Sequence, residues 1–323
     1  MATMKQPRIA ILDAYTTNPG DVSWEALEAL GDVFIYERSS LTDIAPRIAD
    51  IDIAVSNKIV WNKELLDKAP NLKMIALLST GYNVVDLEET KARGIIVSNV
   101  PAYSTPDVAQ HTFALLLELT THVGAYAQSV RNGAWITSID FTYQIAPLVE
   151  LAHKTFGIIG MGSIGSSVAR IARAFDMDVM FYSPHPKHRY ERDRCHQVRL
   201  DTLLQHADIV SLHCPETTET RGLVNEEFIA KMKDGAYLLN TARGGLLDEH
   251  AVSQALRSGK LAGFGADVMS IEPMKADNPL RCAPNTVITP HIAWATKEAR
   301  ERLISVVASN IASFVAGNPE NIV

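Results

Sequence analysis

A glycine-rich turn in the middle of the chain constrains the fold more than any other feature. The segment Gly160–Gly165, with the sequence GMGSIG, directly follows the apolar run Thr155–Ile159 and opens the helical pattern Ser166–Phe175. In such a strand–turn–helix, the first glycine permits the tight turn, the second lets a pyrophosphate approach the backbone, and the third lets helix and strand pack closely. The helix N-terminus adds free N–H donors. The segment therefore predicts a parallel α/β unit that binds a dinucleotide.

Short apolar runs alternate with amphipathic segments on both sides of this turn. The alternation is typical of parallel α/β sheets. At about 150 residues per domain, 323 residues correspond to roughly two domains. We therefore predict two doubly wound parallel-sheet domains, Rossmann- or flavodoxin-like, in the α/β class. The predicted strands are Arg8–Leu12, Val33–Tyr36, Ile51–Val55, Leu72–Leu78, Ile95–Val100, Thr155–Ile159, Val179–Tyr182, Ile209–Leu212, Tyr237–Leu239, Leu261–Phe264 and Val287–Thr289.

Composition and charge narrow the classes of function. A net charge of -7, with basic residues dispersed along the chain, argues against nucleic acid as a ligand. Apolar runs such as Phe113–Leu117 fall far short of the roughly 20 residues that span a bilayer, so we expect no membrane association. Cys195, Cys214 and Cys282 are odd in number and show no metal-ligand spacing. We therefore expect a cytoplasmic protein without a metal site.

Three reactive side chains follow the last three predicted strands. Arg243 lies beyond Leu239, Glu272 lies just beyond Gly265–Val268, and His291 follows Val287–Pro290. The carboxyl ends of parallel strands form one edge, where ligands of open α/β sheets bind. An arginine at this edge can bind the carboxylate of a ligand. A carboxylate side chain beside a histidine can orient the imidazole ring for proton transfer to a carbonyl oxygen. The other nine histidines show no such pairing in the sequence and are interpreted as structural or surface residues.

The cofactor-selecting position lies about 20 residues beyond the glycine turn, where an NAD site normally carries Asp or Glu. This chain has Ser183 there, followed by Pro184, His185 and the basic segment Lys187–Arg189. Such a neighbourhood tolerates or attracts a 2′-phosphate, although solvated loop residues of this kind are also common. Both NAD and NADP therefore remain open as cofactors.

Several sequence blocks, in this order and spacing, resemble the D-isomer-specific 2-hydroxyacid dehydrogenases. The resemblance covers nearly the whole chain. Further features narrow it to members that reduce hydroxypyruvate, namely Leu12-Asp13, Asn18–Gly20, Asn57-Lys58 and Trp294. The blocks that carry the family resemblance are Leu78–Asp86, Asn99–Thr105, Gly160–Gly165, Asn240–Gly245, Gly265–Val268, Glu272-Pro273 and Thr289–Ala293.

The resemblance implies NAD(P)-dependent hydride transfer to a small 2-oxo acid, with hydroxypyruvate and glyoxylate as the expected substrates. It implies that Arg243 binds the substrate carboxylate and carbonyl, that Glu272 orients His291, and that His291 is the acid/base. The substrate contacts implied in addition are Asn57, Ser79, Thr80, Gly81 and Trp294. The implied cofactor contacts, with Asp267 on the nicotinamide carboxamide, are Thr105, Gly160, Met161, Gly162, Ser163, Ile164, Gly165, Ser183, Pro184, His185, Cys214, Pro215, Thr220, Thr241, Ala242, Asp267 and Ala293.

The resemblance also implies a domain organisation. Residues 1–101, completed by 293–323, would form a substrate domain, and residues 102–292 a dinucleotide-binding Rossmann domain, with the active site in the cleft between them. The irregular stretch Gly133–Pro147 would lie at a homodimer interface. Two alternatives stay open: the same fold acting on another 2-oxo acid, and a non-catalytic NAD(H)-sensing binding protein.

Overall fold

The computed structural model describes residues 6–323, which divide into two compact units, each built on one parallel sheet. The first unit comprises the chain up to Ser104 together with Ala295–Val323, and the second comprises Thr105–Trp294. The predicted pair of parallel-sheet α/β domains is therefore confirmed.

The first unit contains a five-stranded sheet in the order β2-β1-β3-β4-β5. Strands β3 and β4 are buried throughout, as expected for parallel strands covered on both faces. The strands are β1 (Arg8–Ile11), β2 (Asp32–Ile35), β3 (Ile53–Ser56), β4 (Met74–Leu77) and β5 (Ile96–Ser98). The helices are α1 (Ala14–Thr17), α2 (Glu25–Glu28), α3 (Leu41–Ile48), α4 (Lys63–Leu66), α5 (Leu87–Ala92) and, after the second unit, α12 (Lys297–Val315).

The second unit contains a seven-stranded sheet in the order β12-β11-β10-β9-β6-β7-β8. Its first strand, β6, lies between β9 and β7, so the strand order reverses there and creates the switch point where ligands bind in such sheets. The strands are β6 (Thr155–Ile159), β7 (Asp178–Tyr182), β8 (Cys195–Gln197), β9 (Ile209–Leu212), β10 (Ala236–Asn240), β11 (Leu261–Ala266) and β12 (Thr286–Ile288). The helices are α6 (Thr105–Thr121), α7 (Val123–Arg131), α8 (Ser163–Ala174), α9 (Leu200–His206), α10 (Glu226–Lys231) and α11 (Glu249–Ser258).

The last helix, α12, completes the first unit. The hydroxyl of Thr296 caps its N-terminus by accepting a hydrogen bond from the Ala299 N–H at 3.2 Å. Farther along, the side chain of Asn310 donates to the carbonyl of Asn99 at 3.0 Å. Across residues 6–323, none of the helices is both long and apolar enough to cross a membrane.

Candidate active site

The glycine turn after β6 forms a backbone cradle at the switch point of the second sheet. Gly160 has φ +101°, and a Cβ placed on it would lie 2.6 Å from the backbone nitrogen of Cys214, which follows β9. A Cβ on Gly165 would lie 2.2 Å from the carbonyl oxygen of Gly160. Around a Cβ on Gly162, no described atom lies within 4 Å. The first and third glycines are thus required by packing, whereas the second leaves the backbone open to a ligand.

Helix α8 starts at this cradle with its backbone donors available. Among the described residues, no side chain caps the helix at Gly162, and no acid lies in its first turn. The N–H groups at such a start carry partial positive charge and need acceptors. The cradle and the helix start together fit the pyrophosphate of a dinucleotide.

The loop after β7 carries the predicted cofactor-selecting residues. Ser183 is buried, whereas Pro184 and His185 are exposed. The side chain of Gln197, in β8, donates to the carbonyls of Ser183 and His185 at 3.2 and 3.1 Å and accepts from the Lys187 N–H at 2.8 Å. Gln197 therefore fixes the conformation of this loop. Neither β8 nor this role of Gln197 was predicted from the sequence.

The loop after β9 is closed by its own side chains. The hydroxyl of Thr220 donates to the Pro215 carbonyl and accepts from the Thr217 N–H, both at 2.8 Å. Preceding the loop, His213 contacts the Ser211 hydroxyl through Nε2 at 2.8 Å, while its enclosed Nδ1 has no partner among the described atoms. Burial lowers the pKa of His213 to about 3, so its imidazole is neutral at pH 7.

His291 and Glu272 form a direct pair at the edge of the second sheet. The Nδ1 atom of His291 lies 2.6 Å from Oε2 of Glu272, with 35% and 29% of the two side chains exposed. The other carboxylate oxygen of Glu272 accepts a hydrogen bond from the Met269 N–H at 3.0 Å, which anchors it to the loop after β11. Because the carboxylate holds Nδ1–H, Nε2 is the nitrogen that can exchange a proton with a ligand.

Asp267 holds the backbone around His291. Its side chain is only 1% exposed. Its Oδ1 accepts hydrogen bonds from the Thr289 hydroxyl at 2.6 Å and the Ile292 N–H at 2.9 Å, and Oδ2 accepts from the Ala293 N–H at 2.8 Å. These bonds lie on both sides of His291, whose φ of +56° is unusual for a residue with a side chain. Asp267 thereby stabilises the turn that presents the imidazole.

A second histidine, His111 of α6, supports the same turn. Its Nε2 lies 2.8 Å from the Thr289 hydroxyl. Since Thr289 gives its single hydroxyl hydrogen to Asp267, the His111 nitrogen is the donor in this contact. The next residue of the helix, Thr112, contacts the Thr241 hydroxyl at 3.0 Å, beyond β10. Sequence reasoning missed His111 because its partner lies 178 positions away along the chain.

Arg243 lies three residues beyond β10 and is exposed. Its loop is clamped by the fully buried Asn240, whose amide donates to the Arg243 carbonyl at 2.9 Å and accepts from the Ala242 N–H at 3.0 Å. A Cβ on Gly244 would lie 1.9 Å from the carbonyl carbon of Met269, so the loop packs directly against the segment that anchors Glu272. The structure thus brings the loops of Arg243, Glu272 and His291 to one edge, as predicted.

The predicted substrate residues of the first unit lie beyond β3 and β4. Asn57 directly follows β3, and the carboxylate of Asp13 accepts hydrogen bonds from the N–H groups of Asn57 and Lys58 at 2.9 and 2.6 Å. Burial raises the pKa of Asp13, while these N–H groups lower it. Thr80 donates to the Val100 carbonyl at 2.7 Å. The side chain of Asn99 donates to the Thr80 carbonyl at the same distance. Both loops are therefore rigidly held within this unit.

A dinucleotide cradle and a histidine–carboxylate pair on one sheet edge define the class of a nicotinamide-dependent dehydrogenase. Comparison with known proteins refines this class. Residues 113–293 match the model of the D-isomer specific 2-hydroxyacid dehydrogenase, NAD binding domain. A hydroxypyruvate reductase of Blautia hydrogenotrophica is 46% identical, covering 98% of this chain and 99% of that protein. A glycerate dehydrogenase of Methylorubrum extorquens is 40% identical, covering 87% and 88%.

Solved structures agree with these relatives. The crystal structure of D-lactate dehydrogenase from Aquifex aeolicus, complexed with NAD and lactic acid, is 32% identical and superimposes with a TM-score of 0.83, covering 98% of both chains. The chain belongs to the D-isomer specific 2-hydroxyacid dehydrogenase family. It is an oxidoreductase that uses a nicotinamide dinucleotide, NAD(P).

Proposed function

We propose that the protein reduces hydroxypyruvate to D-glycerate, and glyoxylate to glycolate, with NADH or NADPH. The observation that carries the proposal is the His291–Glu272 pair, at 2.6 Å, beside the clamped loop of Arg243. The substrate assignment is supported by the relatives named hydroxypyruvate reductase and glycerate dehydrogenase.

In this reaction the cofactor supplies the hydride that the carbonyl carbon of the 2-oxo acid accepts. Nε2 of His291 gives its proton to the carbonyl oxygen, so one hydride and one proton convert the ketone to the alcohol. Glu272 keeps the ring oriented and stabilises the positive charge that the ring carries before the transfer. The guanidinium of Arg243 pairs with the substrate carboxylate and polarises the carbonyl. Each turnover consumes one proton from solution.

Backbone and side-chain donors of the first unit are proposed to complete substrate binding. Ser79, Thr80 and Gly81 would offer N–H groups to the carboxylate, and Asn57 would also contact the substrate. Their loops are held by partly buried hydrogen bonds, such as the one from Thr80 to Val100 at 2.7 Å, which favours precise placement. Trp294, half-buried at the end of the second unit, would limit the size of the substrate.

The proposed acid/base role is tested with a histidine variant and a matched control. His291→Gln should lower kcat by about 10²–10⁴-fold, the usual contribution of a general acid/base, while NADH binding measured by fluorescence stays unchanged. His206→Gln alters an exposed histidine at the end of α9 and should leave both quantities unchanged. Turnover of hydroxypyruvate by His291→Gln at the wild-type rate would refute the assignment.

We also propose that the protein is a cytoplasmic homodimer formed through the segment after α7. This segment exposes large apolar side chains, with Ile136 87%, Ile139 100% and Phe141 88% exposed. Several large apolar side chains exposed within one short segment favour an interaction site there. Ile139→Ser combined with Phe141→Ser should shift the mass measured by light scattering to that of a monomer. A dimer that persists at micromolar concentration would place the interface elsewhere.

A further inference from the structure

A cavity of about 210 Å³ lies against α8, on the side of the helix that faces the segment before β8. Arg170 and Arg173 of α8 line one wall, and Tyr190 and Arg192 line another. The buried thiol of Cys195, the first residue of β8, also lines the cavity. Three arginines therefore line one cavity, outside the edge that carries His291.

Within residues 6–323, the three arginines of this cavity have no carboxylate within ion-pair distance. In the part of the chain that the structure describes, Arg170, Arg173 and Arg192 form no ion pair. The neighbouring Arg194 differs, since it pairs with Asp178 at 2.8 Å and with Asp176 at 3.5 Å. Arg170, Arg173 and Arg192 thus bring three positive charges to one cavity in a chain of net charge -7.

Among the described residues, the acids of the adjacent segment, Glu191 and Asp193, form no ion pair with these arginines. One carboxylate oxygen of Glu191 lies 2.9 Å from Nδ1 of His188, and the other accepts a long hydrogen bond from the Gln197 N–H at 3.4 Å. Asp193 is exposed at a turn held by mutual backbone hydrogen bonds between Arg192 and Cys195, both at 3.0 Å. The cavity wall is thus fixed by the backbone rather than by salt bridges.

The guanidinium groups have unused donors. The Nε atom of Arg173 is buried and has no acceptor among the described atoms, which is costly for a charged donor. Among residues 6–323, Arg170 donates only to the Ser167 hydroxyl, at 3.2 Å. Arg192 reaches two carbonyls at 3.4 Å, which is long for a hydrogen bond. Each guanidinium carries five N–H groups, so the described residues use only a minority of the donors of the three.

We propose that this cavity binds a phosphate group, as the inorganic dianion or as a small phosphate monoester. Guanidinium groups match phosphate oxygens in bidentate geometry, and three of them neutralise a dianion in a site that is partly shielded from water. Ser166 and Met161, which also line the cavity, belong to the start of α8 and to the glycine turn. The 2′-phosphate of NADPH is therefore a second possible source of the same chemical group.

Binding is tested by isothermal titration of the full-length protein with inorganic phosphate, at constant ionic strength set with chloride. We expect one saturable site per chain, weakened tenfold or more in Arg173→Gln and in Arg192→Gln, because each removes charge-assisted hydrogen bonds. Arg199→Gln changes an exposed arginine outside the cavity and should bind phosphate as the wild type does. Unchanged melting temperature and NADH affinity confirm that the variants are folded.

The source of the phosphate is distinguished by competition. If the cavity takes the 2′-phosphate, inorganic phosphate competes with NADPH and not with NADH, and the two arginine variants weaken only NADPH. If it takes a separate monoester, phosphate and NADPH bind independently. The absence of saturable phosphate binding, or an equal loss in Arg199→Gln, overturns the proposal. None of these readouts uses turnover, so failure here is separate from failure of the proposed reduction.

Discussion

Replacing Asp267 by asparagine tests how the turn around His291 is stabilised. The carboxylate accepts three hydrogen bonds, from the Thr289 hydroxyl and from the N–H groups of Ile292 and Ala293. An asparagine of the same shape has one oxygen and one NH₂ group. In either orientation of the amide, the NH₂ group faces at least one backbone N–H, so at least one buried donor loses its acceptor.

The expected magnitude follows from this count. One unpaired buried N–H costs about 1–3 kcal/mol, and the loss of the charge weakens the bonds that remain. We therefore expect Asp267→Asn to lower the free energy of unfolding of the second unit by about 2–4 kcal/mol. Since His291 sits at φ +56° in this turn, we also expect kcat to fall by about 10²-fold if the ring shifts by roughly 1 Å.

Urea unfolding measures the loss of unfolding free energy, and steady-state reduction of hydroxypyruvate measures the loss of kcat. Faster hydrogen exchange at the N–H groups of Ile292 and Ala293 would place the destabilisation in this turn. Asp248→Asn is the matched control, because Asp248 caps α11 through the N–H groups of His250 and Ala251, a role that asparagine performs equally well. If Asp267→Asn matched this control in unfolding free energy and stayed within twofold of wild-type turnover, the role of Asp267 as a support for His291 would be refuted.

Three further changes have defined outcomes. Burial lowers the pKa of His213 to about 3, so below about pH 6.5 this residue binds a proton in the unfolded chain but not in the native chain. The free energy of unfolding should therefore fall by up to about 1.4 kcal/mol per pH unit between about pH 6.5 and pH 3. In urea unfolding at pH 7 and pH 4.5, His213→Gln should lose less unfolding free energy on acidification than the wild type. An equal loss in the variant and the wild type would contradict this role of His213. Gly244→Ala places a Cβ 1.9 Å from the Met269 carbonyl carbon, so the loop of Arg243 must move. We expect the free energy of unfolding to fall by about 1–3 kcal/mol and KM for hydroxypyruvate to rise. An unchanged KM would show that substrate binding tolerates this movement of the loop. Ser183→Asp should raise the ratio of NADH to NADPH activity about tenfold or more, because the carboxylate binds ribose hydroxyls and repels a 2′-phosphate; a constant ratio would assign cofactor choice to other residues.

The sequence was most informative where the signal is local. The glycine turn lies between a strand and a helix within 20 residues, so its spacing alone predicts the cradle that the structure shows at Gly160 and Gly165. The edge that holds Arg243, Glu272 and His291 followed from the rule that parallel strands end together.

The missed features depend on contacts between distant segments. His111 meets Thr289 across 178 positions, and no local pattern distinguishes it from a surface histidine of a helix. Strand β8 has three residues and acquires its place by pairing with β7, while Gln197 at its end acts on carbonyls 12 and 14 residues earlier. The structural role of such a side chain can be recognised only in the folded chain, where its hydrogen-bond partner lies within about 3 Å.

The order in which the chain emerges during synthesis sets the order in which its two units can fold. All of the second unit lies between Ser104 and Ala295, so its residues leave the ribosome as one continuous stretch. The first unit begins earlier and finishes later, because Asn310 of α12 binds the Asn99 carbonyl and the backbone N–H of Val323 binds the carbonyl of Val97. The segment made first is therefore the last to reach its native state, and its sheet stays without α12 while roughly two hundred residues are added.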